Sequence, residues 1–246
     1  MRLLIVNPNT TVMMTEHISE YARQYARSDT EIVGVNPQKG PVSIEGFFDE
    51  AIASEAILDL LIQNRENYDA YIIACFGDPG LFAAREIMKA PVIGIAEAAM
   101  LTACMVGYRF SVLDIMERTR PQIEDLLGRY GFGHRCASIR AVGAKVLETT
   151  QDPEIIKEKL IKEGKKAVEE DGAEVLLLGC AGMAGLDKSI ERALNVPVLD
   201  GVVCAVKIAE GLVDYGISTS KVRAFKYPEP KEFKNCSPAI SFTAER

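Results

Sequence analysis

Two stretches of this chain repeat one another. The segment YIIACFGDPGL, residues 71–81, lines up with VLLLGCAGMAGL, residues 175–186. Cys180 follows Cys75 by 105 positions, and Gly182 follows Gly77, and Gly185 follows Gly80, by the same interval. The match extends on both sides. Pro91-Val92-Ile93 falls against Pro197-Val198-Leu199 at a spacing of 106, and Arg2 to Val6 falls against Arg109 to Leu113 at 107. A chance run of glycines can imitate one such block, but three in register point to a duplicated chain. Whatever it folds into must therefore consist of two similar halves.

Short β-branched runs alternate with helical periodicity along both halves. Strands are expected at Leu3–Val6, Glu31–Val35, Ala70–Ala74, Val92–Ile95, Phe110–Leu113, Ala137–Val142, Val175–Leu178 and Val198–Leu199. Helices are expected at Met13–Arg27, Ala51–Asn64, Pro121–Tyr130, Pro153–Asp171 and Val203–Tyr215. That rhythm gives an α/β fold with mainly parallel sheets. Two α/β lobes then face each other, and the crevice at the carboxyl ends of their strands is where a ligand binds. The charged stretch from Lys157 to Lys166 reads as the solvated face of a helix, and the chain from Tyr227 onward as a packed-down or partly mobile tail.

Charge and composition exclude several classes. With 28 Lys and Arg against 35 Asp and Glu, a net charge of −7 and no basic run, neither nucleic acid nor an anionic membrane is an expected partner. The most apolar long window, Pro91–Tyr108, opens with Pro and carries Glu97 and Thr102, which fits a buried strand and helix rather than a membrane span. The N-terminal apolar run is too short for a secretory signal, so the cytoplasm is expected. Six cysteines without C-x-x-C spacing give no disulfide framework, and two histidines, His17 and His134, give no metal site and no histidine-based triad. Proton chemistry here would fall to thiols and carboxylates.

Cys75 and Cys180 each follow an apolar strand and precede a glycine-containing turn that opens a helix. Such a position presents the sulfur at the crevice, beside backbone N–H groups and the positive end of a helix. A thiol that titrates near 8.5 in isolation is lowered at a helix N-terminus, so partial thiolate character at neutral pH is expected. A lone buried cysteine is usually a small core hydrophobe. Core packing gives no reason for the cysteine to recur where its neighbours differ, Phe76 against Ala181 and Asp78 against Met183. Two thiols across a crevice suit the inversion of a carbon acid: one removes a proton from one face, and the other returns a proton to the opposite face. Two nearby thiols prefer one thiolate with one thiol and titrate as a coupled unit.

At these residues the chain resembles a family. Asn7-Pro8-Asn9-Thr10, Ser43-Ile44-Glu45-Gly46-Phe47, Asp49-Glu50-Ala51, the Cys75 block and the Cys180 block are together similar to the hydantoin and allantoin racemases of the aspartate/glutamate/hydantoin racemase superfamily. The resemblance covers about residues 1–220. It implies racemisation without a cofactor by two catalytic cysteines, between two pseudo-symmetric Rossmann-like lobes, in a homo-oligomer. It also implies that the chain returns after the second lobe, so that residues 1–97 with 212–246 form the first lobe and 98–211 the second.

The implied substrate is a small cyclic amide. Amino-acid racemases of the superfamily resemble C-[ST]-N after the first cysteine, and Phe76-Gly77 stands there instead. Backbone N–H groups at Gly77, Ala181 and Gly182 are positioned to hold an enolate oxygen, as in an oxyanion hole, or the glycines simply permit tight turns. Asn7 is a candidate ligand for a substrate carbonyl or N–H, Asn9 or Thr10 a candidate helix cap, and Ser43-Ile44 a loop that the resemblance brings near the substrate. Phe47 and Phe48 suit either a gate or the core. Glu97 suits a cap for the following helix or a partner to Cys75. Cys104, Cys136, Cys204 and Cys236 lack such turns and are expected to be inert. Three other readings stay open: a different carbon-acid isomerase, an amino-acid racemase of the same superfamily, and a two-lobed binding protein without turnover. The dinucleotide fingerprint G-x-G-x-x-G is absent, since Gly179, Gly182 and Gly185 are spaced by three.

Overall fold

The computed structural model describes residues 1–232 and 234. Cys236 and most of the tail beyond Tyr227 lie outside the described residues. The eight expected strands all form, within two residues of their expected bounds. In the first sheet, β1 (Arg2–Val6), β2 (Glu31–Val35), β3 (Ala70–Ile73) and β4 (Val92–Gly94) lie in the order β2-β1-β3-β4. In the second, β5 (Phe110–Asp114), β6 (Cys136–Ala141), β7 (Val175–Leu178) and β8 (Val198–Asp200) lie in the order β6-β5-β7-β8. Every pairing is parallel. The central strands read LLIV and VLLL because both of their faces are covered, the usual condition of a parallel sheet, and they are fully buried.

Register fixes the equivalence of the halves. Leu3 to Val6 lie beside Ala70 to Ile73, and Phe110 to Leu113 lie beside Val175 to Leu178. Val6 and Leu113 are thus counterparts, as are Ile73 and Leu178, and the residues that leave these strands enter the crevice from the same two directions.

Nine α-helices flank the sheets among the described residues: α1 (Val12–Tyr25), α2 (Phe47–Asn64), α3 (Leu81–Ile87), α4 (Ile95–Val106), α5 (Arg120–Tyr130), α6 (Glu148–Gln151), α7 (Pro153–Glu169), α8 (Asp187–Leu194) and α9 (Gly201–Tyr215). Two of them cross over. Helix α4 follows β4 of the first sheet yet packs on β7 and β8 of the second, while α9 follows β8 and packs on β3 and β4 of the first. They meet each other on faces rich in alanine, with Ala98, Ala99 and Ala103 on α4 and Ala205 and Ala209 on α9 all buried. One apolar core therefore runs from Ile5 and Ile72 through these helices to Val112 and Leu177. At about 1.5–3 kcal/mol for each large aliphatic side chain fully buried, that shared core holds the two sheets in a fixed relation.

The expected break at 212 falls inside α9, which contacts β3 and β4 of the first sheet and β8 of the second. Beyond α9 the described chain lies against α3 and its flanking turns. The Thr219 N–H donates to Lys89 O at 2.8 Å, the Lys221 ammonium donates to Arg85 O at 2.6 Å and Glu86 O at 3.0 Å near the end of α3, and Phe225 packs edge-on against Phe82.

Candidate active site

Cys75 lies two residues past the end of β3, and Cys180 two past the end of β7. Both line one cleft at the carboxyl ends of the two sheets, together with Asn7 just past β1 and Asp114 at the end of β5. The cleft has a volume of about 70 Å³, several times the roughly 10–15 Å³ that one water needs. Its wall is mostly apolar, and no Lys, Arg or His is among the lining residues.

The N–H of Gly77 faces the Cys75 sulfur, and those of Gly182 and Met183 face the Cys180 sulfur. These donors favour the thiolates, as the turns led one to expect, but burial outweighs them. Loss of hydration pushes the Cys75 thiol well above its ordinary range, and the neighbouring Cys180, Glu50 and Asp78 add to that rise. Burial likewise pushes Cys180 up to about 12, with Asp114 and Asp200 contributing. Burial thus works against the partial thiolate character expected from the turns, and the turn N–H groups work for it. A thiolate formed here is a stronger base than one in water.

Of the residues singled out in the sequence, Asn7, Ile44, Phe76, Gly77, Ala181 and Gly182 line the cleft beside the two cysteines. Ser43 does not; its hydroxyl donates to Glu45 Oε1 at 3.1 Å. The Asn7 side chain is engaged within the protein. Its Nδ2 donates to Asn9 Oδ1 and Thr15 Oγ1, both at 3.0 Å, and its Oδ1 accepts from the Asn9 N–H. Asn9 Oδ1 in turn accepts from the Thr11 N–H at 2.9 Å, holding the turn that leads into α1. Gly182 permits a close approach, since a Cβ there would stand 2.3 Å from Thr149 Oγ1. Phe47 and Phe48 are exposed, so neither belongs to the core. Glu97 neither caps α4 nor meets Cys75: its carboxylate pairs with Arg85, and Asp78 takes the capping place.

The model of the Asp/Glu/Hydantoin racemase family matches residues 3–209. The chain belongs to this family. The family's enzyme class, an isomerase of the racemase type, is thereby that of the chain. Among its relatives is the hydantoin racemase of Pseudomonas sp. (strain NS671), 48% identical over 95% of this chain and 94% of that protein. Two solved structures match closely. The allantoin racemase from Klebsiella pneumoniae superposes with a TM-score of 0.92 at 45% identity, covering 94% of this chain and 95% of its own. The allantoin racemase from Pseudomonas fluorescens gives the same score and identity, covering 95% and 99%.

Several lining residues of this family member escaped sequence reasoning. Asp114 is the counterpart of Asn7, and the 107-residue offset that matches Arg2 with Arg109 already contained it. Its Oδ1 accepts from the Ile115 N–H at 2.8 Å, Thr119 donates to its Oδ2, and burial pushes it up to about 6. Gln122, in the first turn of α5, reaches Glu50 in the first turn of α2; a polar residue in an amphipathic helix gave no such signal. Asp78 is not in the lining, but it shapes the Cys75 turn: it is almost fully buried with φ of +44°, a backbone state that sequence does not announce. Among the described residues no cluster of His, Cys, Asp and Glu could hold a metal ion, and no helix is long and apolar enough to cross a membrane.

Proposed function

We propose that the protein racemises 5-substituted hydantoins or allantoin, with Cys75 and Cys180 alternating as base and acid. The observation that carries this reading is two cysteines on equivalent turns lining one cleft that has no basic side chain. A free amino acid would bring a carboxylate with nothing to neutralise it, next to Asp114. A flat, neutral cyclic amide makes no such demand. The names of the relatives, hydantoin racemase and allantoin racemase, support the same substrate class.

In the proposed reaction the Cys75 thiolate removes the proton from the stereogenic carbon. The electron pair moves onto the adjacent carbonyl, and the Cys180 thiol returns its own proton to the other face. Cys75 ends as thiol and Cys180 as thiolate, and the opposite enantiomer is processed in reverse. The scheme moves protons between sulfur and carbon only and uses no cofactor. The N–H of Ala181 is the proposed donor to the enolate oxygen, with those of Gly77 and Gly182 shared between sulfur and oxygen. Because burial raises both thiols, the attacking thiolate is basic enough for a carbon acid. The reading keeps the sequence's expectation of a cytoplasmic homo-oligomer, the assembly being checked by sedimentation.

The test is to incubate one enantiomer of 5-benzylhydantoin, and separately of allantoin, with the protein in D₂O. Optical rotation should decay to zero while deuterium enters the stereogenic carbon. Steady rotation for both substrates, matching the control without protein, would rule the assignment out.

A further inference from the structure

Every residue lining the cleft is buried or half-buried. The core shared through α4 and α9 fixes the two sheets relative to one another, so a ligand reaches the sulfurs past side chains rather than by parting of the lobes. One wall shows where. Gly77 and Gln122 line the cleft and also a second hollow of about 220 Å³ between α2 and α5, whose other walls include the exposed Phe47, Asp125 and Arg129. At this common wall Gln122 Nε2 donates to Glu50 Oε2 at 2.5 Å, across from the second lobe to the first. The two ends of the Gln122 amide are served unequally. A carboxylate acceptor makes the Nε2 bond stronger than a neutral one, whereas Oε1 is buried without a hydrogen-bond partner among the described residues, a state that native proteins keep at few positions because water would relieve it. The closed position is thus favoured at Nε2 and disfavoured at Oε1. Turning the side chain into the outer hollow reverses both, since the Glu50 carboxylate and the freed Oε1 each gain water.

We propose that the Glu50–Gln122 clasp is the gate of the cleft, shut while Nε2 rests on Glu50 and open when the Gln122 side chain swings into the hollow between α2 and α5, where small ligands enter. Opposing contributions at the two ends of one amide keep the open and closed arrangements close in free energy, the condition for a gate that opens without help. The proposal concerns access to the two cysteines and does not depend on which compound they act upon.

The experiment follows alkylation by iodoacetamide at one mildly alkaline pH, with peptide mass spectrometry reading each cysteine separately, in wild type, Glu50→Ala and Glu50→Gln. A buried thiol reacts in proportion to the population of the open form. Expected in Glu50→Ala is a rise of about 10- to 100-fold at both Cys75 and Cys180, the worth of a hydrogen bond to a charged group. In Glu50→Gln the new amide oxygen still accepts from Gln122, and the rise at both should be smaller, about 5-fold. This variant keeps the shape of the side chain and carries the test if Glu50→Ala fails to fold. Cys204, buried in the core between α4 and α9, should keep its wild-type rate. Loss of the Glu50 charge by itself eases ionisation of Cys75, so a rise at Cys75 with none at Cys180 would show electrostatics without a gate and overturn the inference. Wild-type rates at both cysteines would overturn it as well, as would a rise at Cys204 in step with the other two, which marks a fold loosened throughout. Because the readout is alkylation, failure of the racemase reading leaves this result standing.

Discussion

In the first lobe the helix that follows the fourth strand is met by a carboxylate from a different loop, whereas in the second the strand supplies its own. Asp78, in the Cys75 turn, accepts from the Ala96 and Glu97 N–H groups at the start of α4, at 3.0 and 2.9 Å, and also takes the Tyr130 hydroxyl at 2.8 Å. Asp200, the last residue of β8, accepts from the Val202 and Val203 N–H groups at the start of α9, at 2.7 and 3.1 Å. Where the second lobe has Asp200 the first has Gly94, and a Cβ there would stand 2.3 Å from the Asp78 carboxyl carbon. Where the first has Asp78 the second has Met183. Both helix ends need a buried acceptor, and the duplicated halves have drawn it from different places. The cysteines did not move. The Cys75 turn is thereby tied to α4, while its counterpart is held by the close approach of Gly182 to Thr149 and by a 3.0 Å contact between His17 Nε2 and Ala184 O. Matched chemistry rests on unmatched supports.

The sharpest way to break that comparison is to remove one sulfur at a time. Cys75→Ser and Cys180→Ser should each lower racemisation by about 10²- to 10⁴-fold, and each should keep slow deuterium exchange on one enantiomer, opposite for the two. Full activity in either variant, followed by polarimetry, would end the two-base scheme.

Next in size is the pH profile. With burial raising both thiols, the rate-limiting population at neutral pH is the thiolate, which gains about tenfold per pH unit below the pKa. Wild-type kcat/KM on a fixed enantiomer should climb steadily from pH 7 to 9; a plateau before pH 8 would mean that the turn dipoles win after all.

The smallest effects separate the two supports. Asp200→Ala should cost about 1 kcal/mol, a typical cap, and Asp78→Ala more, about 2–4 kcal/mol, because two backbone donors and the Tyr130 hydroxyl are orphaned together. Denaturant melts check the order, and equal losses would erase the asymmetry. Burial pushes Asp200 up from 3.8 to about 7, so between those values the folded protein holds a proton that the unfolded chain releases. Its contribution is thus fully present below about pH 4 and is lost as pH rises through 7. Asp200→Asn keeps an oxygen for both N–H groups with nothing to titrate, and should flatten that slope.

How much of this was legible in the sequence depended on what carried the signal. The strands were readable because fully covered parallel strands are apolar throughout, and the paired cysteines because a repeat exposes what a single motif hides. Asp114 was within reach of the same repeat, through its offset from Asn7. Asp78 and Gln122 were not: one depends on a left-handed backbone state, the other on a contact between helices 72 residues apart. The state of the thiols is hard to read from sequence for a related reason. A turn can be read locally, but dryness is a property of everything packed around it.

The crossing of α4 and α9 has a consequence for how this molecule comes into being. Neither half, released alone, could cover its own sheet, since the lid that each requires is encoded in the other. The apolar faces of β3 and β4 are therefore closed only once α9, more than a hundred residues after β4 in the sequence, has been made.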